Sequence, residues 1–247
     1  MSSDDLGTAY DGPRPALRVV SLVPSLTETL ASCPEGAGRL VGATDWCTHP
    51  PELDVTRVRG TKNPDLAAIR ALDPDVVIAN KEESRELDVR RLRDSGVRVW
   101  ATDIRTVPDA VGSIERLVEA IGWSRPVWLA QARDLLAGPL PPVTRRVAVP
   151  IWRDPWMVVG GDTFTSDLLR RLGWANVFAD RAARYPHLGI EEIDEAEADV
   201  VLLPDEPYVF TAQDGPEAFR RTPTELVSGR LLTWYGPSLL DAAKLRT

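Results

Sequence analysis

The stretch DLAAIRALDPDVVIANKEE, residues 65–83, places a helix-length segment before an acidic turn and a short apolar run. A second stretch, IEEIDEAEADVVLLPDEP at residues 190–207, repeats this order, and its DVV at 199–201 matches the DVV at 75–77. A helix followed by a buried strand is the repeating unit of a parallel α/β sheet. Because the unit occurs once in each half, the sequence predicts two related lobes rather than a solenoid. Two unrelated units of one α/β protein are the alternative.

Short β-rich runs alternate with helix-length segments on both sides of these stretches. In the first half we predict strands at 18–23, 40–44, 75–80 and 97–103, and helices at 65–72 and 84–96. Ser25 and Glu28 fit a capping box at the start of a further helix. Two helices follow at 108–121 and 126–136, before a loop that contains prolines. In the second half we predict a strand in RVAVPIW, helices in TFTSDLLRRLGW and IEEIDEAEA, a strand in DVVLLP, and a terminal strand and helix in RLLTWYGPSLLDAAKLR.

These elements predict an α/β fold with two Rossmann-like α/β lobes joined by a helical linker. The expected boundaries are 17–104 for the N-terminal lobe, 105–141 for the linker and 142–247 for the C-terminal lobe. Ligands of such folds bind where loops leave the carboxyl ends of strands. We therefore expect a ligand cleft between the lobes.

Composition excludes several classes of function. The chain of 247 residues has a formal charge of -8, which disfavours a nucleic-acid surface. The N-terminus has no basic segment followed by an apolar one, and no run approaches the roughly 18 apolar residues of a membrane span. As written, the chain is expected to be a soluble cytoplasmic monomer without a membrane span. If it is a processed form, a periplasmic or cell-surface location is expected instead.

Cysteine and histidine are too sparse for a metal centre or a disulfide framework. Cys33 and Cys47 lack the CxxC spacing of a zinc or redox site, and we interpret them as two unpaired thiols. His49 and His187 are far apart and belong to no HxxxH or HExxH pattern. The sequence therefore predicts no protein-only metal site and no required cofactor.

Aromatic residues are concentrated in the loops after predicted strands. This set comprises Trp46, Trp156, Tyr185, Tyr208, Phe210, Trp234 and Tyr235. A rigid ring at a loop tip offers a large contact area at low entropic cost, although packing in the core is the alternative for each ring. Pro155 is expected to direct Trp156 into the cleft, whereas Trp152, at the end of a strand, is expected to face the core. Arg153 fits either a contact with the edge of a ligand or a local ion pair.

Acidic pairs follow corresponding strands of the two halves, at 82–83 and 205–206. Glu82 or Asp205 is a candidate for acid and base catalysis. Carboxylates at strand ends are more often solvated or capping groups. No GxSxG, P-loop or GxGxxG pattern is present. We therefore predict no catalytic residues, and a hydrolase is only the alternative.

The segments RVVSLVPSLTETL, GRLVGATDWCTHPPEL, VRGTKNPDLAAIRALDPDVVIAN and VRVWATD occur in this order along the chain. Their order resembles that of ABC-importer substrate-binding proteins of the helical backbone metal receptor superfamily, in particular the vitamin B12-binding (BtuF-like) branch. The resemblance extends over about residues 17–245. It implies two α/β lobes joined by a long helix, with a cobalt corrinoid, an iron siderophore or haem bound between them.

The resemblance also implies roles for individual residues. Trp46, Trp156 and Tyr185 match aromatic residues of the ligand pocket, and Trp234 and Tyr235 lie near its last loop. Arg153 is expected to donate to the amide edge of a macrocycle.

Docking on an ABC importer is implied for Glu191 or Glu192 in the C-terminal lobe. The chain departs from the family pattern at three places. Thr61 stands where corrinoid binders have a second tryptophan, and Ala67 stands where the N-terminal lobe presents its docking glutamate. The helix at 126–136 would span only about 16 Å. The sequence thus predicts a non-enzymatic binding protein for cobalamin or another metal chelate, with an intracellular ligand sensor as a further alternative.

Overall fold

The computed structural model of the protein describes residues 2–136 and 138–246. The chain forms two compact units, and its α/β character confirms the predicted fold class. The N-terminal unit consists of Met1–Ile104, Pro108–Arg133 and Tyr235–Pro237. The C-terminal unit consists of Arg105–Val107, Asp134–Trp234 and Ser238–Thr247. Most of the segment expected to form a separate linker therefore packs with the N-terminal unit, as do the residues before position 17.

The N-terminal unit is built on a parallel sheet in the order β3-β2-β1-β6-β7. Its elements are β1 Val19–Ser21, α1 Pro24–Ala31, α2 Gly36–Arg39, β2 Leu40–Ala43, β3 Thr56–Arg57, β4 Arg59–Gly60, β5 Asn63–Pro64, α3 Leu66–Ala71, β6 Val76–Asn80, α4 Glu86–Asp94, β7 Val99–Thr102, α5 Val107–Ala120 and α6 Val127–Leu136. All residues of β1, β6 and β7 are buried, as expected for parallel strands covered on both faces.

The C-terminal unit is built on a second parallel sheet, in the order β11-β8-β12-β13. Its elements are β8 Arg145–Ala148, β9 Pro150–Trp152, β10 Met157–Val158, α7 Phe164–Arg171, β11 Trp174–Asn176, α8 Ile190–Asp194, β12 Val200–Pro204, β13 Thr224–Val227, α9 Gly229–Thr233 and α10 Ser238–Ala242, with 3-10 turns at Pro216–Ala218 and Ala243–Arg246. β9 and β10 form a separate antiparallel hairpin.

The two matching sequence stretches occupy the same place in the two units. α3 precedes β6 in one unit and α8 precedes β12 in the other. Residues 65–77 and 189–201 align without a gap, so that Ile69 corresponds to Ile193, and both are fully buried. Asp73 and Glu197, which also correspond, both have left-handed backbones, with φ of 43° and 55°.

Two predictions of local structure around β1 and β8 are wrong. α1 begins at Pro24, after Val23, without a side-chain cap. The missing N–H of a proline in the first turn needs no partner, and Ser25 and Glu28 are buried within the helix instead of forming a capping box. RVAVPIW forms two strands, because Pro150 has no N–H with which to continue the ladder of β8.

The chain after β12 also differs from the prediction. RLLT, expected to be a strand, is the helix α9, and the missing edge strand is β13. β13 is short and half-exposed, so it lacks the apolar run that marks the other parallel strands. β11 was likewise hidden, because its first residue, Trp174, reads as the end of the preceding helix.

Residues 2–16, here called the N-terminal strap, cover the edge strand β7. One carboxylate oxygen of Asp4 accepts the N–H of Ala101 at 3.1 Å and the guanidinium of Arg93 at 3.0 Å. Asp5 accepts the N–H of Asp103 at 3.0 Å. The strap thus uses hydrogen-bonding groups that an uncovered edge strand would offer to another chain.

Candidate functional site

Trp46 is the most exposed of the predicted binding residues in the N-terminal unit. It follows β2, and 65% of its surface is accessible. The next residue, Cys47, is fully buried, with Sγ 3.0 Å from Oγ1 of Thr27 and 3.1 Å from Oγ1 of Thr44. Cys47 therefore anchors the loop from inside and leaves the indole of Trp46 on the surface.

The indole of Trp46 lies beside the hairpin formed by β4 and β5. A Cβ added at Gly60 would stand 3.1 Å from its Nε1. Thr61, which replaces the tryptophan expected in corrinoid binders, occupies the turn of this hairpin. The structure thus brings Trp46 and Thr61 to one surface.

Tyr235 is buried within the N-terminal unit. Its hydroxyl donates to Oε1 of Glu83 at 2.9 Å. Burial, followed by the negative charge of Glu83, raises the pKa of Tyr235 well above its ordinary value. Next to it, a Cβ at Gly236 would lie 2.9 Å from the carbonyl oxygen of Ser25, so this segment packs closely on α1. Tyr235 is a neutral ring with a packing role, and its contact with a ligand stays a prediction.

In the C-terminal unit, the exposures of Trp152 and Trp156 are the reverse of the expected ones. Trp156 is only 9% exposed and stacks on Phe210, with ring centroids 5.8 Å apart. The edge of Phe219 completes this packing at 5.5 Å. Trp152 is 43% exposed. Burial decreases along β9 from Pro150 to Trp152, so the ring leaves the core at the strand end, whereas the turn after it folds Trp156 inward.

Arg153 is engaged by carboxylates of its own unit. One of its terminal nitrogens donates to Asp214 and to Glu217. The hydrogen bond to Glu217 raises the pKa of Arg153, and the same bond lowers the pKa of Glu217. The guanidinium carbon also lies 5.4 Å from the ring centroid of Trp156. Of the two alternatives, the structure has the local ion pair.

Tyr185 is half-buried, and its loop runs beside the segment that carries Trp156. Its loop pairs with the segment around β10, since the N–H of Val158 donates to the carbonyl of Pro186 at 3.1 Å and the N–H of Leu188 to that of Trp156 at 3.2 Å. Trp234, by contrast, is buried, with the guanidinium of Arg230 at 5.8 Å from its ring. The structure therefore brings Trp152, Trp156 and Tyr185 into one loop region of the C-terminal unit.

The predicted docking residues, Glu191 and Glu192, are exposed in the first turn of α8. Glu192 forms an ion pair with Arg181. At the corresponding place in α3, Ala67 is exposed, and the side chain of Asp65 caps the helix by accepting the N–H groups of Ala67 and Ala68.

The carboxylates proposed for a hydrolase are Glu82 and Asp205. Glu82 belongs to the N-terminal unit and Asp205 to the C-terminal unit. Asp205 accepts the N–H of Gly229 at 2.7 Å, a structural bond at the start of α9. Among residues 2–136 and 138–246, no group of three or more His, Cys, Asp and Glu could hold a metal ion. The helices in this part of the chain are all too short or too polar to span a membrane.

Sequence reasoning missed the exposure of Trp152 and the network around Tyr208. The hydroxyl of Tyr208 donates to Asp214 at 2.7 Å, and Trp152 contacts the ring of Tyr208 edge to face. The sequence identifies Tyr208 as a loop aromatic, but nothing in it connects Tyr208 with Trp152, more than fifty positions earlier.

No protein-family model matches the chain. A vitamin B12-binding protein of Vibrio parahaemolyticus is 27% identical over 198 residues, which cover 76% of this chain and 70% of that protein. The periplasmic vitamin B12-binding protein BtuF of Vibrio cholerae has the same fold, with a TM-score of 0.75, 20% identity, and coverage of 95% of this chain and 96% of that chain. The periplasmic haem-binding protein RhuT of Roseiflexus sp. RS-1, in its apo form, gives a TM-score of 0.73 and 22% identity, with coverage of 93% and 96%.

These similarities confirm the predicted two-lobed α/β fold and the predicted resemblance. The proteins named are binding proteins rather than enzymes, which agrees with the prediction that the chain has no catalytic activity. Both solved structures are of periplasmic proteins, so the cytoplasmic location expected from the sequence finds no support in them.

Proposed function

Because the chain is a relative of the vitamin B12-binding (BtuF-like) class of ABC-importer substrate-binding proteins, we propose that it binds cobalamin or a related metal chelate without converting it. The alternatives within this proposal are other corrinoids, haem and siderophores. The observation that carries it is the exposed indole of Trp46 at the carboxyl end of β2, in a fold that the chain shares with proteins named for binding vitamin B12 and haem.

An exposed tryptophan suits this class of ligand. The faces of corrins and porphyrins are broad and largely apolar, and an aromatic ring stacked on such a face removes apolar surface of both partners from water. Trp46 is held from below by buried Cys47, so its loop is ordered before a ligand arrives. Preorganisation of this kind lowers the entropic cost of binding.

Tyr185 is a further proposed contact, because it is half-buried beside the loop that carries Trp156. Trp156, Trp234 and Tyr235 are each less than a tenth exposed, and we propose that they support the ligand contacts mainly through packing.

Isothermal titration calorimetry with cyanocobalamin and haemin tests the proposal. We expect the wild-type protein to bind at least one of them, and Trp46→Ala to weaken that binding about tenfold, the order of magnitude of a lost aromatic contact. Leu17→Ala is the matched control, because Leu17 is 57% exposed but lies at the amino end of β1. If neither of these chelates nor a ferric siderophore binds, the proposal is wrong.

Thr61→Trp provides a gain-of-function test. Because Thr61 lies on the hairpin next to Trp46, a second ring there would enlarge the aromatic surface. We expect tighter binding of cyanocobalamin by this variant. Unchanged affinity would indicate that the ligand does not reach the β4–β5 hairpin.

We also propose that the protein delivers its ligand to an ABC importer from the periplasm or the cell surface, using Glu191 and Glu192. Uptake of labelled cyanocobalamin by cells tests this step. Glu191→Ala with Glu192→Ala is expected to reduce uptake while leaving binding by the purified protein unchanged. Ala67→Glu, at the corresponding exposed position of α3, is expected to increase uptake. Normal uptake by the double alanine variant would exclude this role for α8.

A further inference from the structure

Four aromatic rings form a continuous series from the surface to the core of the C-terminal unit. Trp152 meets Tyr208 edge to face, with ring centroids 5.7 Å apart and an interplanar angle of 75°. Tyr208 lies 4.7 Å from Phe210, which stacks on Trp156 at 5.8 Å. Trp156 and Phe210 belong to the hydrophobic core of the unit. The exposed ring of Trp152 is thus supported by the half-buried ring of Tyr208 and, behind it, by the buried rings of Phe210 and Trp156.

Hydrogen bonds and ion pairs also hold the loops that carry these rings. The hydroxyl of Tyr208 donates to Oδ2 of Asp214 at 2.7 Å, while Oδ1 of Asp214 accepts from Arg153. Glu217 accepts from Arg153 and, through its other oxygen, from the N–H of Gly215 at 2.6 Å. The loops that follow β9 and β12 are therefore joined by an ion-pair network. Tyr208 cannot rotate away from Trp152 without losing its bond to Asp214.

The charge of these two loops is strongly negative. Residues 152–157 and 205–217 contain one basic side chain, Arg153, and the acidic side chains Asp154, Asp205, Glu206, Asp214 and Glu217. Arg153 is already neutralised by Asp214 and Glu217. An anionic ligand would thus find no uncommitted cation in these two loops, and it would be repelled by the remaining acidic groups. In the adjoining loop that carries Tyr185, Arg181 is paired with Glu192 and Arg184 with Asp162.

We propose that the exposed ring of Trp152 and the half-buried ring of Tyr208 form the surface with which the C-terminal unit contacts its ligand, and that the acidic side chains of these two loops restrict this ligand to uncharged or cationic chelates. This inference rests on the proposed binding function and sharpens it. Cyanocobalamin, which has no net charge, fits these surroundings. Haem, with two ionised propionates, does not.

Calorimetric titration of cyanocobalamin into Trp152→Ala tests the aromatic part. We expect affinity about tenfold lower than that of the wild type, with partial recovery in Trp152→Phe, which restores a ring. The matched control is Val143→Ala, because Val143 is 62% exposed in the same unit but precedes β8, at the amino end of the sheet. Its affinity is expected to be that of the wild type.

Comparison of cyanocobalamin with haemin tests the charge part. At low ionic strength we expect haemin to bind at least about tenfold more weakly than cyanocobalamin, and the difference to narrow as salt screens the acidic loops. Asp154→Asn should also reduce the difference in affinity between cyanocobalamin and haemin. The side chain of Asp154 is 87% exposed and its φ is 58°, a conformation that asparagine tolerates.

The outcomes separate this inference from the function on which it rests. If the wild type binds none of cyanocobalamin, haemin and a ferric siderophore, both are wrong. If it binds cyanocobalamin and Trp152→Ala binds as tightly as Val143→Ala, the binding function stands and the role of Trp152 is refuted. Haemin binding more tightly than cyanocobalamin at low ionic strength would overturn the charge restriction.

Discussion

Asp199 accepts a hydrogen bond from the backbone N–H of Arg146, with 2.6 Å between Oδ2 and the nitrogen. Asp75 accepts the N–H of Arg18 at 3.0 Å in the N-terminal unit. The guanidinium of each arginine returns to a carbonyl before the next strand, that of Glu197 in one unit and of Leu72 in the other, both at 2.9 Å. The aspartate of the shared DVV motif thus makes the same hydrogen bond in both units. It joins the amino ends of β1 and β6 in one unit and of β8 and β12 in the other. This favours related lobes over an accidental likeness.

The repeated aspartates are expected to contribute to stability in both units. Asp199→Ala and Asp75→Ala each remove a carboxylate that orders the start of two adjacent strands, at a cost of about 1 kcal/mol. Urea unfolding followed by circular dichroism measures the loss. Asp180→Ala, at an exposed position, should change stability by less. Equal stability of all three variants would mean that this repeated hydrogen bond contributes nothing.

The N-terminal strap provides a second prediction. The Asp4 side chain is only 1% exposed and accepts the N–H groups of Leu6, Thr8 and Ala101 as well as the guanidinium of Arg93. Asp4→Ala leaves these donors without their acceptor, and we expect it to lower the free energy of unfolding by about 2–4 kcal/mol.

Asp11→Ala is the control for Asp4→Ala. Asp11 pairs with Arg98 at 2.8 Å, but its side chain is 69% exposed, and exposed ion pairs contribute about 0–1 kcal/mol. If Asp4→Ala also releases the strap from β7, size-exclusion chromatography is expected to show self-association through the uncovered edge. A monomeric variant with wild-type stability would contradict the assigned role of the strap.

The carboxyl group of Asp194 leads to a prediction of how the stability of the protein depends on pH. Burial alone would raise the pKa of this carboxyl group, but the amides of Thr222, Arg220 and Arg221 hydrogen-bond to it and together hold its pKa below the ordinary value. A lowered folded-state pKa stabilises the protein above the unfolded-state pKa of about 3.9, and this stabilisation is lost as pH falls through the folded-state value.

Asp194→Asn tests this dependence. At neutral pH the variant is expected to be less stable than the wild type, because the amide side chain is a weaker acceptor for the three N–H groups. The difference in melting temperature should begin to shrink as pH falls below about 4, where the carboxyl of the unfolded wild type becomes protonated, and it should be smallest below the lower pKa of the folded state. A difference that is constant over this pH range would show that the charge of Asp194 plays no part.

The sequence predicted the architecture better than the binding surface, for a physical reason. Buried parallel strands such as β6 and β12 are short apolar runs that stand out in the sequence, whereas β13 is half-exposed and does not. The exposure of Trp152 and the burial of Trp156 depend on contacts with Tyr208 and Phe210, which belong to a loop that is distant in the sequence. Local patterns cannot report such contacts, so the sequence assigned the exposed and the buried indole the wrong way round.

Gly161 shows the same dependence on distant backbone and supports a last prediction. The pair at 160–161 lacks a phosphate-binding pattern, and the structure gives it a packing role. A Cβ at Gly161 would stand closer than 3.0 Å to the carbonyl oxygen of Ala179, and one at Gly160 would similarly meet that of Ala183. Because these obstacles are backbone atoms, Gly161→Ala must displace the loop. We expect the free energy of unfolding, measured by thermal or urea denaturation, to fall by about 1–3 kcal/mol.

Gly38→Ala is the control, since a Cβ at this position in a helical segment meets nothing within 4 Å. It should be neutral or slightly stabilising. If Gly161→Ala is as stable as Gly38→Ala, the close approach of the loop at Ala179 is not a constraint on the fold.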